Sequence, residues 1–234
     1  MTMKKNAFIR VCSFLILLIV PLQALAKVDV QSVFTHPATK KQLQDLSEQL
    51  KLGSSASGSF TQYRQLKVLK KPLISHGTFL FDQAQGLIWQ QLRPFKSSLI
   101  LKDKQLIQID SQGNIQVQAA GKAQAASAFE TIMPNLLTAV LTGDISALQQ
   151  NFSLSFQQQK QQWQLGLTPK DPLIAKVLPQ MIIEGQHTLT ALILLSQNGD
   201  SSRIALSDIQ NRPLTKDELK GFNPQATITR SQPN

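Results

Sequence analysis

Short alternating runs of apolar and polar residues dominate the stretch from residue 77 to residue 101. Phe79 and Phe81 stand two positions apart there, and so do Leu87 and Trp89. Because successive side chains of a β-strand point to opposite faces, each pair lies on one face of a predicted sheet. Large apolar groups on one face of an antiparallel meander either form a sandwich core or line a pocket. We interpret them as the lining of a pocket that holds a lipid, with an ordinary sandwich core as the alternative.

The alternation predicts eleven strands in two runs. The first run has six candidate strands, near residues 56–64, 73–81, 86–92, 97–102, 105–110 and 113–118. The second run has five, near residues 152–156, 163–167, 178–184, 187–195 and 203–210. Asn198-Gly199 supplies a hairpin turn before the last strand. The chain shows no internal repeat and no linker, so we expect one β-rich domain.

Apolar residues at helical spacing predict helices outside the strands. Leu43, Leu46 and Leu50 predict a helix between Thr39 and Gly53. From residue 119 to residue 149 the alternation disappears, and the apolar residues recur every three or four positions. These residues are Phe129, Ile132, Met133, Leu136, Leu137, Val140 and Leu141, with interruptions at Pro134 and Gly143-Asp144. The segment is either a lid that moves or a helix packed permanently on the sheet.

Two short helices are predicted by their caps. Asp144 can cap a helix that carries Ile145 and Leu148. Thr215 and Glu218 have the spacing of a capping box and predict a last helix that ends at Gly221.

Residues 1–26 have the pattern of a cleaved signal peptide. Three basic residues precede an apolar run over residues 11–22, and small residues follow at positions 24 and 26. The run is too short for a membrane-spanning helix. We therefore expect an exported mature chain, residues 27–234, that forms a single domain. Cys12 lies within the signal peptide, so we expect no disulfide or thiol chemistry in the mature chain.

The sequence is basic, with a formal net charge of +10 that falls to +7 without the signal peptide. The basic residues look scattered, and the tightest group is Lys67, Lys70 and Lys71 in a predicted hairpin loop. A basic surface favours anionic lipid headgroups, acidic proteins or nucleic acid. We expect no nucleic acid partner for an exported chain with few aromatic residues near its lysines. Lysines that only maintain solubility are the alternative.

No constellation of catalytic or metal-binding residues is evident in the sequence. His36, His76 and His187 are far apart and lack the spacing of metal ligands. Phosphate-binding loops, dinucleotide fingerprints and nucleophile elbows are absent. We therefore expect a binding protein rather than an enzyme, with no cofactor and no metal. A lipid hydrolase would need a buried serine within hydrogen-bonding distance of His76 or His187.

Several short motifs follow one another along the chain. After the leucine-bearing helix come SGSFTQYR, the Gly-x-Phe-x-Phe strand, LIWQQLRP and SSLIL, and then the helical insertion, WQLGLTPKD and ELKGF. In this order the motifs resemble the LolA-like family of outer-membrane lipoprotein carrier proteins of the Gram-negative periplasm. The resemblance implies an α+β fold that is mainly β: an incomplete eleven-stranded antiparallel β-barrel with a helical lid over an apolar cavity.

The resemblance also implies the function and the partners. It implies a periplasmic carrier, most simply a monomer, that shields the acyl chains of a lipoprotein or related lipid. An inner-membrane transporter would release the cargo to it and an outer-membrane acceptor would receive it, with transient membrane proximity. The alternative is a periplasmic sensor that binds lipidated or misfolded proteins without transferring them.

The alternation and the resemblance together give the candidate site residues. The predicted cavity lining consists of Phe60, Phe79, Phe81, Leu87, Trp89, Leu99, Leu101, Met133, Leu136, Leu137 and Val140. Six residues before the strand tryptophan, the family often has an arginine that bonds to the lid. This chain has Gln83 there, which can still form hydrogen bonds but is shorter and uncharged. We predict a weaker lid contact at this position.

Overall fold

The computed structural model describes residues 32–50, 53–119 and 136–224. The predicted signal peptide and the insertion residues Phe129, Ile132 and Met133 lie outside the described residues, so the predictions about them stay predictions. Within the described ranges, no helix has the length and apolar character needed to cross a bilayer.

All eleven predicted strands are present in a single antiparallel sheet. They are β1 (Ser55–Gln65), β2 (Leu73–Asp82), β3 (Gly86–Arg93), β4 (Ser97–Lys102), β5 (Gln105–Ile109), β6 (Ile115–Ala119), β7 (Phe152–Gln159), β8 (Gln162–Pro169), β9 (Gln180–Gly185), β10 (Leu189–Leu195) and β11 (Ser201–Gln210). Their spatial order is β6-β5-β4-β3-β2-β1-β11-β10-β9-β8-β7. The two edge strands, β6 and β7, do not pair, so the barrel is open. The predicted fold class is confirmed.

Helices begin where the sequence offers caps. Helix α1 (Lys40–Leu50) follows Thr39, whose Oγ1 accepts the N–H of Gln42 at 3.3 Å while the Gln42 side chain accepts the N–H of Thr39 at 2.9 Å. Helix α2 covers residues 136–142 of the described chain. Helix α3 (Ile145–Asn151) is capped by Asp144, as predicted.

Two further helices lie in the C-terminal third of the chain. Helix α4 (Pro172–Ala175) begins after Asp171, whose carboxylate accepts the N–H of Leu173. Helix α5 (Lys216–Lys220) has the predicted capping box between Thr215 and Glu218. Arg212 forms two hydrogen bonds with the same carboxylate, at 2.7 and 2.9 Å, and these lower the pKa of Glu218 to about 2. The carboxylate therefore stays ionised and keeps α5 anchored.

The outer face of the sheet is covered at two separate places. Ile88, Ile100 and Ile107 pack against Leu214 and Phe222, which flank α5. On β9 and β10, Ile182 and Ile193 pack against Val33 of a 3-10 helix at Ser32–Thr35. The chain segments before β1 and after β11 therefore cover the outer face.

The free edge of β7 is also covered. The N–H of Phe156 donates to the carbonyl of His36 at 2.9 Å, and the N–H of Ala38 donates to the carbonyl of Leu154 at 3.0 Å. Residues 36–38 thus pair with the edge and lead directly into α1. This pairing satisfies backbone groups that would otherwise be open to another chain.

Candidate functional site

Three aromatic side chains meet on the inner face of the sheet. Phe79 lies opposite Trp89 in the β2–β3 pair, and Phe60 lies opposite Gly77 in the β1–β2 pair. The ring of Phe60 stacks on that of Trp89 with centroids 3.7 Å apart and planes at 18°. Phe79 is nearly parallel to Trp89 at 6.4 Å. The structure therefore brings these three predicted lining residues together.

Two glycines make room for these rings. A Cβ added at Gly58 would lie 2.6 Å from the ring of Phe79, and a Cβ added at Gly77 would overlap the ring of Phe60. The rings therefore lie flat over the backbone of the neighbouring strand. The glycine in the Gly-x-Phe-x-Phe pattern has a packing role that alternation alone does not indicate.

The other predicted sheet residues share this face. Leu87 pairs with Phe81 on one side and with Leu101 on the other, while Leu99 pairs with Trp89. Phe81 and Leu87 are fully buried, whereas Leu99 and Leu101 are half-buried. Leu99 and Leu101 are thus the predicted lining residues of this strand pair that remain partly accessible to solvent.

Helices α1, α2 and α3 cover the inner face, and we call them the helical cover. Their buried residues form one cluster with the sheet residues named above: Leu43, Leu46, Leu50, Leu136, Leu137, Val140, Leu141, Ile145 and Leu148. Leu136, Leu137 and Val140 are therefore buried in the same cluster as the predicted sheet residues. In this conformation the protein's own side chains occupy that face.

The half of the sheet formed by β7–β11 contributes inner-face residues that the sequence analysis did not single out. They are Phe156, Leu165, Leu167, Met181, Ile183, Leu192, Leu194, Ile204 and Leu206, all buried in the same cluster. On β9 and β10 the neighbouring outer-face residues are apolar too, so strand alternation is hidden there. Phe156 lies on β7, where apolar residues alternate with serines, so this strand gives a clear sequence signal for its inner face.

Two side-chain hydrogen bonds hold α1 in place. The hydroxyl of Ser47 donates to the carbonyl of Gly143, between α2 and α3, at 2.5 Å. The side-chain amide of Gln49 donates to the carbonyl of Gln186, in the turn between β9 and β10. The first bond joins α1 to the rest of the helical cover, and the second joins α1 to the sheet.

Gln83 does not make the corresponding contact in the described residues. Its side chain is exposed in the β2–β3 turn, and its backbone N–H donates to the carbonyl of Ser54 at 2.8 Å. No hydrogen bond among the described residues joins its side chain to the helical cover. The predicted lid contact of Gln83 stays a prediction.

A half-open pocket of about 260 Å³ lies on the inner face of the first half of the sheet and is lined by residues of β1, β3, β4, β5 and β6. Trp89 and Leu99 line its apolar part. The remaining lining is almost entirely uncharged and polar: Gln62, Gln91, Ser97, Ser98, Gln108, Asn114 and Gln116, with Ile109 and Asp110. The apolar inner face is therefore reached through a polar mouth.

A known protein family matches most of this chain. The family described as outer membrane lipoprotein carrier protein LolA-like matches residues 37–212, three quarters of the chain. The chain belongs to the LolA-like family. The match includes α1, the whole sheet and the described helical cover. Membership indicates a lipid- or lipoprotein-binding role outside the cytoplasm.

Solved structures similar to this LolA-like protein are distant from it. A LolA superfamily protein from Nitrosomonas europaea is 9% identical, with 78% of this chain and 97% of that chain covered and a TM-score of 0.47. A DUF1329 family protein from Desulfovibrio piger is 11% identical, with 82% and 99% covered and a TM-score of 0.47. A chain of the MucA/MucB complex from Pseudomonas aeruginosa is 15% identical, with 76% and 58% covered and a TM-score of 0.42. No curated protein matches the sequence.

Two histidine rings of this LolA-like protein each contact a nearby hydroxyl or carbonyl group. The Nδ1 of His76 lies 3.1 Å from the Oγ1 of Thr61, and the Nδ1 of His36 lies 2.9 Å from the carbonyl of Ser32. In the described ranges no serine side chain is hydrogen-bonded to His76 or His187, and no group of metal-binding residues occurs.

Proposed function

We propose that this protein is a periplasmic carrier that shields the acyl chains of a lipoprotein, or of a related lipid, on the inner face of its open barrel. It would move this cargo from the inner to the outer membrane. The observation that carries the proposal is the helical cover: an extended apolar face is covered by three short helices instead of a second sheet. The family match supports the same role.

The physical task accounts for such an architecture. Each buried methylene contributes roughly 0.8 kcal/mol, so one long acyl chain in water costs on the order of 10 kcal/mol. A lipid therefore crosses an aqueous compartment only if a protein shields its chains. In the proposed mechanism, acyl chains replace the leucines of the helical cover on the inner face. Apolar contacts are exchanged for apolar contacts, so the net cost of opening stays small.

The lining residues suit a cargo that must also be released. Leucine, isoleucine and phenylalanine bind through contact area without directional bonds. The flexible side chain of Met181, which is buried on this face, can adapt to different chains. The proposed activity needs no nucleophile, metal or cofactor, and we propose that the protein is not an enzyme. We further propose that a membrane transporter loads it and an outer-membrane acceptor unloads it.

The direct experiment has two parts. Mass spectrometry of the protein purified from the periplasm should detect a co-purifying lipid or lipoprotein in near-stoichiometric amount. A transfer assay from donor to acceptor membranes should then show that the cargo is passed on. Absence of any acylated molecule would contradict the proposal, whereas cargo that is bound but never transferred would favour the sensor alternative.

Loosening α1 should speed the opening of the helical cover. The double variant Ser47→Ala, Gln49→Ala removes the two hydrogen bonds that hold this helix, each worth about 1 kcal/mol. We expect about a tenfold or greater rise in the open population, seen as faster uptake of a fluorescent fatty acid in stopped-flow measurements.

A matched control for this experiment is Thr142→Ala. Its hydroxyl bonds to the carbonyl of Thr138 within α2, so its loss removes a hydrogen bond without freeing the cover from the sheet. Uptake that is equally fast in the control and the double variant, or unchanged in both, would show that these two bonds do not govern opening.

A further inference from the structure

Five connections between strands meet at one end of the sheet. We call this end the loop rim and define it as residues 63–74, 92–97, 109–115, 169–180 and 195–201. Hydrogen bonding ties neighbouring loops together, since the N–H of Lys67 donates to the carboxylate of Asp200 at 2.8 Å. A surface pocket between Arg64, Val177 and Asn198 places the β8–β9 connection beside the same two loops.

The loop rim collects the exposed apolar side chains of the molecule. Of the nine large apolar residues that are exposed in the described chain, eight lie on the rim: Tyr63, Val68, Leu69, Leu73, Ile74, Leu92, Phe95 and Leu173. The most prominent are Val68, Phe95 and Leu173, at 88%, 71% and 70% exposure, and each belongs to a different loop. Such a concentration at one end marks an interaction surface.

The net positive charge collects at the same place. The rim holds eight basic residues and three acidic ones, whereas the rest of the described chain has nine of each. The basic residues are Arg64, Lys67, Lys70, Lys71, Arg93, Lys96, Lys170 and Lys176. The charges that look scattered along the sequence are therefore gathered by the fold.

The three acidic residues of the rim do not neutralise these cations by salt bridges. Asp110 accepts the side-chain amide of Asn114, Asp171 accepts the N–H of Leu173, and Asp200 accepts the N–H of Lys67. All salt bridges between described residues lie elsewhere, in α1, between β9 and β11, and around α5. Lys170 donates to the carbonyl of Gln149 at 2.7 Å, and Asp200 lies near enough to Arg64 and Lys67 to interact with their charges. Lys70, Lys71, Arg93, Lys96 and Lys176 form no salt bridge among the described residues, so they are available to an anionic partner.

We propose that the loop rim docks on the anionic headgroup surface of a lipid bilayer, with its apolar loop tips inserted among the headgroups; the inference rests on the proposed carrier function. Val68, Phe95 and Leu173 are single apolar side chains on separate tips, each with lysines nearby. This pattern fits shallow insertion into a fluid interface, where lysine and arginine attract anionic lipids. A protein interface would instead have one contiguous apolar core with a polar rim around it.

Docking in this orientation also serves the proposed transfer. The polar mouth of the inner face is bounded by Ser97, Asp110 and Asn114 of the rim, with Trp89 and Leu99 further in. A rim placed on the membrane points this mouth at the bilayer. Acyl chains then move from the bilayer to the inner face with little exposure to water.

Vesicle sedimentation with the full mature chain tests the docking surface. We expect binding to vesicles of phosphatidylcholine mixed with phosphatidylglycerol, weak binding to phosphatidylcholine alone, and loss of binding as salt screens the charges. Lys70→Glu, Lys71→Glu should weaken binding to the mixed vesicles by about tenfold or more. Val68→Glu, Phe95→Glu should do the same by removing the inserted side chains.

Two control variants place the same kinds of substitution outside the rim. Lys40→Glu, Lys216→Glu reverses two exposed lysines outside the rim, and Val117→Glu alters the exposed apolar residue that lies off the rim. Both should bind within about twofold of the unaltered chain. Equal weakening in rim and control variants would overturn the proposal. Failure of the unaltered chain to bind mixed vesicles would also overturn it and leave an acidic protein as the occupant of the rim.

A second measurement separates this inference from the proposed function. The delipidated protein is titrated with a fluorescent fatty acid below its critical micelle concentration, which reports on the inner face without a membrane. Rim variants should bind this probe as the unaltered chain does. If the unaltered chain binds vesicles but not the probe, the carrier function is contradicted and the docking surface is supported. If it binds the probe but not vesicles, only the docking surface is contradicted.

Discussion

Replacement of Leu99 by glutamate is expected to abolish retention of acyl chains while leaving the protein folded. Leu99 pairs with Trp89 on the inner face, is half-buried, and lines the pocket of about 260 Å³. A carboxylate there can stay hydrated as long as no cargo is bound. A bound acyl chain would expel that water, at a cost of several kcal/mol for an unpaired charge. Since 1.4 kcal/mol corresponds to about tenfold in affinity, we expect a loss of about a hundredfold or more.

The measurement is lipid retention, by mass spectrometry of the purified variant and by titration with a fluorescent fatty acid. Thermal unfolding of the same sample shows whether the fold is retained. Val117→Glu is the control, because Val117 pairs with Ile107 on the outer face and is 46% exposed. Normal retention in Leu99→Glu would mean that acyl chains do not occupy this part of the inner face. That result would contradict the proposed binding site.

Replacement of Trp89 by alanine is expected to cause a large loss of stability. Trp89 is buried, stacks on Phe60 and lies beside Phe79. Truncation of a buried tryptophan costs about 3–5 kcal/mol, and the loss of stacking adds about 0.5–1.5 kcal/mol. Urea unfolding of the delipidated protein measures this change directly.

The stacking contribution is separable from the burial of the rings. A double-mutant cycle with Phe60→Leu and Trp89→Leu should give a coupling energy of about 0.5–1.5 kcal/mol. A cycle that pairs Trp89→Leu with Phe222→Leu should be additive within about 0.5 kcal/mol, because Phe222 packs on the opposite face in a separate cluster. Equal coupling in the two cycles would contradict a specific contact between Phe60 and Trp89.

The sequence predicts the strands well because most of them have one apolar face and one polar face. Phe152, Leu154 and Phe156 alternate with Ser153 and Ser155, and the packing of the three apolar residues in the inner-face cluster follows from that period. The caps at Asp144 and Thr215 are equally local, since each bond closes within three residues. Features that depend only on residues close together in the sequence can therefore be predicted from it.

The remaining features depend on contacts between distant parts of the chain. Ser47 bonds to Gly143 across 96 positions, and Gln49 bonds to Gln186 across 137. No periodicity specifies such a pairing, so the contacts of α1 could not be predicted from the sequence. On β9 and β10, residues such as Ile182 and Ile193 are buried by the N-terminal 3-10 helix, which hides the alternation of the inner-face residues. The loop rim is likewise assembled from five separate connections.

The pairing of β1 with β11 sets the order in which this chain acquires its shape. Each half of the sheet is a meander whose hairpins close over short distances along the backbone. The seam between them joins Phe60 to Leu206, so it cannot form until the last strand has been delivered. Loop closure over such a span is slow compared with hairpin formation. A ribosome or translocation channel releases the polypeptide from its N-terminus. During most of that release the first half of the sheet, β1–β6, would therefore lack its partner strand β11, and the sheet would be completed only after the last strand has emerged.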